Sequence, residues 1–263
     1  MNNHDDVIDV SGWIGSYPFR GIINSGLEDL KANCLKLSIR KVIVSSFENL
    51  FQENGLDAYG MWQEKIETMD ALEHWPVVNP SMPGELQLLS KLVDRFHPRG
   101  LRLLPNYHNY SLLDGSVEDL MRFSEEHQLI VQVFQRIADE RFHWMLHVPA
   151  VDETELKNFA DKYRRQPIII SAMNNPAILS EQFKYHERLY VDTSRIRGPV
   201  FAFEELVKNI PAEKFLFGSL WPIQIVQATL WQIQQSSIPA SVRHRILNGN
   251  FSSLMQDVSS QSS

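Results

Sequence analysis

Eight short runs rich in β-branched residues punctuate the chain, at 7–10, 41–45, 76–79, 100–104, 129–134, 167–171, 188–192 and 214–218. Between them the apolar period changes. Leu27, Leu30, Cys34 and Leu37 share one helical face, as do Leu89, Leu92, Val93 and Phe96. Leu156, Phe159, Ala160 and Tyr163 repeat the pattern, and so do Phe203, Leu206, Val207 and Ile210. Strands joined through helices run parallel, because each helix returns the chain to the same end of the sheet. Eight units in one continuous chain favour closure into a barrel over an open sheet. A nucleotide-binding open sheet would carry a glycine-rich loop after its first strand, and Gly12 and Gly15 make no GxGxxG. A length of 263 residues suits one such barrel. The expected fold is α/β: a single (β/α)8 TIM-like barrel domain over residues 1–263, with 1–6 and 257–263 fraying. No linker or internal repeat interrupts 7–255.

Charge narrows the partners. The net charge is −7 and no basic block occurs, which argues against a nucleic-acid partner. No apolar run approaches the roughly 18 residues of a membrane span, and the polar, acidic start reads as no signal peptide. Cys34 has no partner for an internal disulfide, which fits a reducing, cytoplasmic setting. Its place on an apolar helical face reads as core packing.

In a barrel of this kind, function sits on the loops at the carboxyl ends of the strands. The residues expected there include Ser11, Trp13, Ser45, Asn79, Tyr107, His108, Gln132, Arg136, Ser171, Asn174, Asp192, Ser219, Leu220 and Trp221. This ring is polar, aromatic and mostly neutral, with Asp192 and His108 as its acid and imidazole.

Five segments in order resemble the amidohydrolase-related family of the amidohydrolase superfamily: Ile-Asp-Val-Ser-Gly-Trp-Ile-Gly-Ser-Tyr-Pro-Phe-Arg (8–20), Gly-Leu-Arg-Leu-Leu-Pro-Asn-Tyr-His-Asn-Tyr (100–110), Leu-Tyr-Val-Asp-Thr-Ser (189–194), Phe-Leu-Phe-Gly-Ser (215–219) and Ile-Leu-Asn-Gly-Asn (246–250). The resemblance implies a TIM-like barrel with metal at the carboxyl end of the strands. It also implies hydrolysis of C–N or C–O bonds, lactone opening or, in some branches, decarboxylation. The chain departs from that pattern where metal would bind. Ser11 and Trp13 stand at the His-x-His positions, Ser171-Ala172-Met173-Asn174 where strand 6 often ends in histidine, and Leu220 where strand 8 often supplies an aspartate. A divalent ion needs three or four N, O or S ligands, so no metal and no other cofactor is expected.

The remaining candidates each carry two readings. His108 is either a general base or a structural imidazole bonded to a loop carbonyl. Asp192 is either a base or the holder of a loop. Arg102 and Arg136 suit either an acidic ligand or an internal ion pair with Asp9, Asp139 or Asp192, the ion pair leading for Arg102. Arg195 and Arg197 add positive charge after strand 7. His143 and His147 have a metal-compatible spacing but lie in an apolar stretch ended by Val148-Pro149, which reads as packing or an oligomer contact. Trp13, Tyr17, Tyr107 and Trp221 either stack on a ligand or plug the mouth.

Two functions follow. One is a metal-independent, lactonase-like hydrolase of a small acidic lactone, ester or amide. It would use His108 and Asp192 for proton transfer, with Tyr107, Gln132, Arg136, Asn174 and Trp221 binding substrate. The other is a catalytically inactive barrel that binds a small molecule or a protein. In either case the expected partners are a small-molecule ligand and further copies of the chain, with no nucleic acid and no membrane.

Overall fold

A computed structural model of the chain describes residues 6–19, 21–22, 25–52, 54–137, 148–196 and 201–260. The strands are β1 Val7–Ile14, β2 Ile39–Ser46, β3 Leu72–His74, β4 Gly100–Leu103, β5 Ile130–Phe134, β6 Ile168–Ser171, β7 Leu189–Asp192 and β8 Phe215–Leu216. The helices between them are α1 Leu27–Leu37, α2 Phe47–Phe51, α3 Gly55–Ile66, α4 Glu85–Phe96, α5 Pro105–His108, α6 Gly115–Glu126, α7 Glu153–Lys162, α8 Ser180–Tyr185, α9 Ala202–Asn209, α10 Val226–Gln234, α11 Ala240–His244 and α12 Asn250–Ser260. Local chemistry starts several of them. The Asp152 carboxylate accepts the Thr154 and Glu155 N–H groups ahead of α7, and Ser46 Oγ accepts the Asn49 N–H in α2.

All strand pairs are parallel, in the orders β1-β2-β3 and β4-β5-β6-β7-β8. The third strand differs from its expected place at 76–79, because the ladder changes partner at Pro76. Leu72–His74 pairs with β2, and Pro76 has no N–H with which to continue that ladder. Just beyond, the Pro76 carbonyl accepts the Arg102 N–H at 2.8 Å, and the Val78 N–H donates to the Arg102 carbonyl at 3.0 Å. Segment 72–78 thus carries the sheet from β2 to β4. On the far side no ladder joins β8 to β1. Backbone bonds from Val10 N–H to the Phe217 carbonyl (2.9 Å) and from Trp13 N–H to the Trp221 carbonyl (2.8 Å) span that seam. The arrangement is that of an α/β barrel of TIM type.

The core is layered. Outward-facing strand residues such as Val42, Leu101, Val131, Ile170 and Val191 pack under the helices. Ile8, Val10, Ile43, Trp75, Ile130, Ile169 and Leu216 form a separate inner cluster, and α12 lays Phe251, Leu254, Met255 and Val258 against it. Burying each such side chain is worth about 2 kcal/mol. The helix continues through Ser260 with Val258 buried, so Asp257–Ser260, expected to fray, is helical. A third apolar cluster, formed by residues at the carboxyl ends of the strands, caps the site described next. Among the described residues no helix is long and apolar enough to cross a membrane.

Candidate functional site

Above the lower apolar layer, the inward positions of β4 to β7 turn polar: Arg102, Gln132, Ser171 and Asp192, each fully buried. Arg102 reaches across the barrel. Its Nη1 donates to the Gly12 carbonyl at 2.7 Å and its Nη2 to the carbonyls of Val10 (2.9 Å) and Ile43 (2.8 Å). Its Nε donates to Gln132 Oε1 at 2.8 Å. Gln132 in turn donates Nε2 to the Val10 carbonyl at 3.0 Å and to Ser171 Oγ at 2.7 Å. Four strands are therefore joined through one guanidinium. Burial pushes Arg102 down to about 9, against the pull of Asp9 and Asp192.

The two carboxylates are held by neutral donors. Asp192 Oδ1 accepts the N–H groups of Ala172 and Ser194 (both 3.1 Å) and the Ser194 hydroxyl (2.7 Å). Asp9 Oδ1 accepts the Ser11 N–H at 3.1 Å and the Ser219 N–H at 3.0 Å, and Oδ2 accepts the Ser219 hydroxyl. Asp9 thereby ties β1 to the loop after β8. Burial raises both acids above the usual carboxylate range, and the hydrogen bonds only partly offset it. Gly218 permits the closeness of this layer. A Cβ there would lie 2.5 Å from Ser11 Oγ and 2.7 Å from Asp192 Oδ2.

Over this layer lies an apolar cap. Trp13, Phe47, Leu50, Val77, Leu104, Phe134, Ile137, Ala172 and Leu220 form one buried cluster, with Tyr17, Phe51, Tyr107 and Ile223 packed on it. Trp13 stacks on Phe47 with ring centroids 5.2 Å apart and meets Phe134 edge-on at 5.4 Å. The Arg102 guanidinium sits 5.2 Å from both the Trp13 and the Phe134 rings. Leu220 is fully buried at φ 55° and Ala172 adopts φ 59°, left-handed conformations that suit Asn, Asp or Gly better.

The expected site residues are therefore split. Gln132 and Asp192 share the buried layer through Ser171 and Arg102, where they serve as scaffold. His108 lies elsewhere: its Nε2 donates to the Leu50 carbonyl at 2.9 Å, joining α5 to α2. Burial lowers its pKa, and the bond to Leu50 partly offsets that. Tyr107 is half-buried and packs edge-on against Phe51. Trp221 is buried in the layer beneath the helices. Arg136 is buried at the end of β5. Asn174 is exposed, its Oδ1 3.4 Å from the Nε of the buried Arg195, whose Nη1 reaches the Ile137 carbonyl at 3.5 Å. His143, His147, Asp139 and Arg197 lie outside the described residues.

Sequence reading singled out neither Asp9, except as a partner for Arg102, nor Ser219 as a member of this network. An acid inside the apolar run Val-Ile-Asp-Val was the available signal. The donor set also answers whether a catalytic divalent ion fits. Both Asp9 oxygens and Asp192 Oδ1 are taken by N–H and O–H donors, and the nearest cation is a guanidinium. Trp13 and Leu220 offer no lone pair. No group of three or more His, Cys, Asp or Glu among the described residues could hold a metal. These residues do not fit the ion.

Comparison with known proteins agrees on the scaffold. No curated protein matches the chain. Among solved structures, 5-carboxyvanillate decarboxylase from Sphingomonas paucimobilis superposes with a TM-score of 0.76 at 12% identity, covering 96% of this chain and 99% of that one. Dihydroxybenzoic acid decarboxylase from Polaromonas sp. JS666, solved with manganese and 2-nitroresorcinol, gives 0.74 at 13% identity, over 96% and 97%. A Pseudomonas putida protein named provisionally as a 2-pyrone-4,6-dicarboxylic acid hydrolase gives 0.65 at 16%, over 93% and 95%. At these identities the likeness is one of fold. The amidohydrolase family model matches residues 64–250, most of the barrel, and the chain belongs to the amidohydrolase family.

Proposed function

We propose that this barrel has no hydrolase chemistry of its own and works as a binding module for a small carboxylate. One observation carries the reading. The positions from which a metal-dependent relative would address its ion, Trp13 and Leu220 among them, are packed into a single buried apolar cluster. A carboxylate that must activate water needs access to it, and Asp192 lies fully buried among protein donors. At the carboxyl end the buried Arg195 lies 3.4 Å from the exposed Asn174, and Arg136 is buried at the end of β5. Guanidinium groups there suit a carboxylate.

The test is an assay of the purified chain on lactones, aryl esters, amides and hydroxybenzoates, with Zn²⁺ or Mn²⁺ added or with a chelator. The expected result is no turnover above background in any condition, and benzoate binding by calorimetry that Arg195→Met weakens at least tenfold. Turnover abolished by both His108→Gln and Asp192→Asn would overturn the proposal in favour of a metal-independent hydrolase.

A further inference from the structure

Every long helix of the outer layer carries charge except α10. Residues 215–242 contain no Asp, Glu, Lys, Arg or His. Within that stretch the buried face of α10 is formed by Val226, Thr229, Leu230 and Ile233. The opposite face is formed by Ile225, Ala228, Trp231, Gln232 and Gln235, all exposed. These fall at i, i+3, i+6, i+7 and i+10, a single stripe of a 3.6-residue helix. Ile225 is 70% exposed and Trp231 59%, two large apolar side chains on one uncharged face. The neighbouring α9 supplies an ordinary charged surface with Glu204, Glu205 and Lys208, and Glu204 accepts the Ser237 N–H just past α10.

An uncharged centre with aromatic and aliphatic anchors beside a charged border is the anatomy of a protein interface. Electrostatics then chooses the occupant. The chain carries a net charge of −7, so two copies repel wherever charged faces meet. A two-fold interface places one patch against itself, so a charge at its axis would face its like. A charge-free helix escapes that penalty. The Gln235 amide, with both donor and acceptor, can pair with itself across a two-fold axis, while Gln232 Nε2 donates to the Ile196 carbonyl at 3.4 Å.

We infer that the exposed face of α10 is the interface of a homodimer, with Trp231 and Ile225 of each copy at its centre. Sedimentation equilibrium of the full chain tests this. At about 100 µM, well above a micromolar dissociation constant, the expected mass is twice the 30.4 kDa of one chain. Trp231→Lys and Ala228→Glu, both at solvent-exposed positions, should each raise the dissociation constant at least tenfold with an unchanged circular dichroism spectrum. Raising NaCl from about 50 to about 500 mM should leave dimerisation unchanged or tighten it, because screening removes repulsion and breaks no ion pair. A monomer at the highest concentration, a dimer that both substitutions leave intact, or a dimer that salt dissolves would each overturn the inference.

Discussion

Leu220 shows how one position records the character of the site. Its backbone is left-handed, which suits Asp, Asn or Gly, yet its side chain is aliphatic, fully buried and packed in the cluster that holds Trp13. Burying the leucine gains about 2 kcal/mol, which outweighs the roughly 1 kcal/mol cost of a left-handed leucine. Leu220→Asp would relax the backbone but place an unpartnered carboxylate among aromatic rings. We expect it to lower stability by about 3 kcal/mol in chemical denaturation, with Leu220→Met within about 1 kcal/mol of wild type. It should confer no hydrolysis, because a lone acid cannot hold an ion. A Leu220→Asp variant as stable as the parent would show that the cap is looser than its packing implies. The identities of these residues were legible in the sequence. That Trp13 and Leu220 meet in one cluster was legible too, since closing the barrel sets the ends of β1 and β8 side by side.

At the scale of elements, the polar layer holds the barrel together where ladders are weakest. Arg102 on β4 bonds carbonyls of β1 and β2 and the Gln132 side chain on β5, and so crosses the point where β3 gives way to Pro76. Asp9 and Ser219 do the same across the β8–β1 seam. Arg102→Met would leave three buried carbonyls short of donors and two buried acids without their cation. The expected cost is about 3–5 kcal/mol, read as a lower denaturation midpoint with unchanged slope. A loss under about 1 kcal/mol would mean that water or neighbouring donors replace the guanidinium freely. The inward direction of Arg102 followed from strand alternation. Its partners did not, since carbonyl acceptors leave no trace in side-chain identity.

For the molecule as a whole, pH dependence comes from groups buried in opposite senses. His74 stacks on Tyr59 at 4.2 Å, with neither ring nitrogen hydrogen-bonded, and burial followed by the Arg102 charge pushes it down to about 3. His186, also buried, is pushed down to about 4. Unfolding restores an imidazole pKa near 6.5, so the unfolded chain binds more protons and stability falls as pH drops from about 6.5 towards those values. Asp9 and Asp192 act oppositely. Their folded pKa values are raised, so their contribution is greatest at low pH and is lost as pH rises through those values. His74→Phe keeps the ring stack and removes one titration. We expect it to recover about 3 kcal/mol relative to wild type at pH 4.5, with little difference at pH 7.5. Parallel stability curves for the two proteins between pH 4 and 8 would remove His74 from the account.

The sequence by itself determined the class of fold. The period of its apolar residues switches between strand and helix, and that local signal survives without knowledge of what packs on what. It also determined which elements supply the carboxyl-end residues, since order along the chain is order around a barrel. Only the tertiary structure decided what those residues do. His108 bonds to Leu50 across two short helices, Gln132 and Asp192 are spent on a buried network, and Asp9 closes the seam with Ser219. Each of these outcomes depends on contacts between distant segments and on which donor reaches a buried acceptor first. Such competition is settled by packing in three dimensions, where an unpaired polar group costs about 1–3 kcal/mol, and no spacing along the chain encodes it.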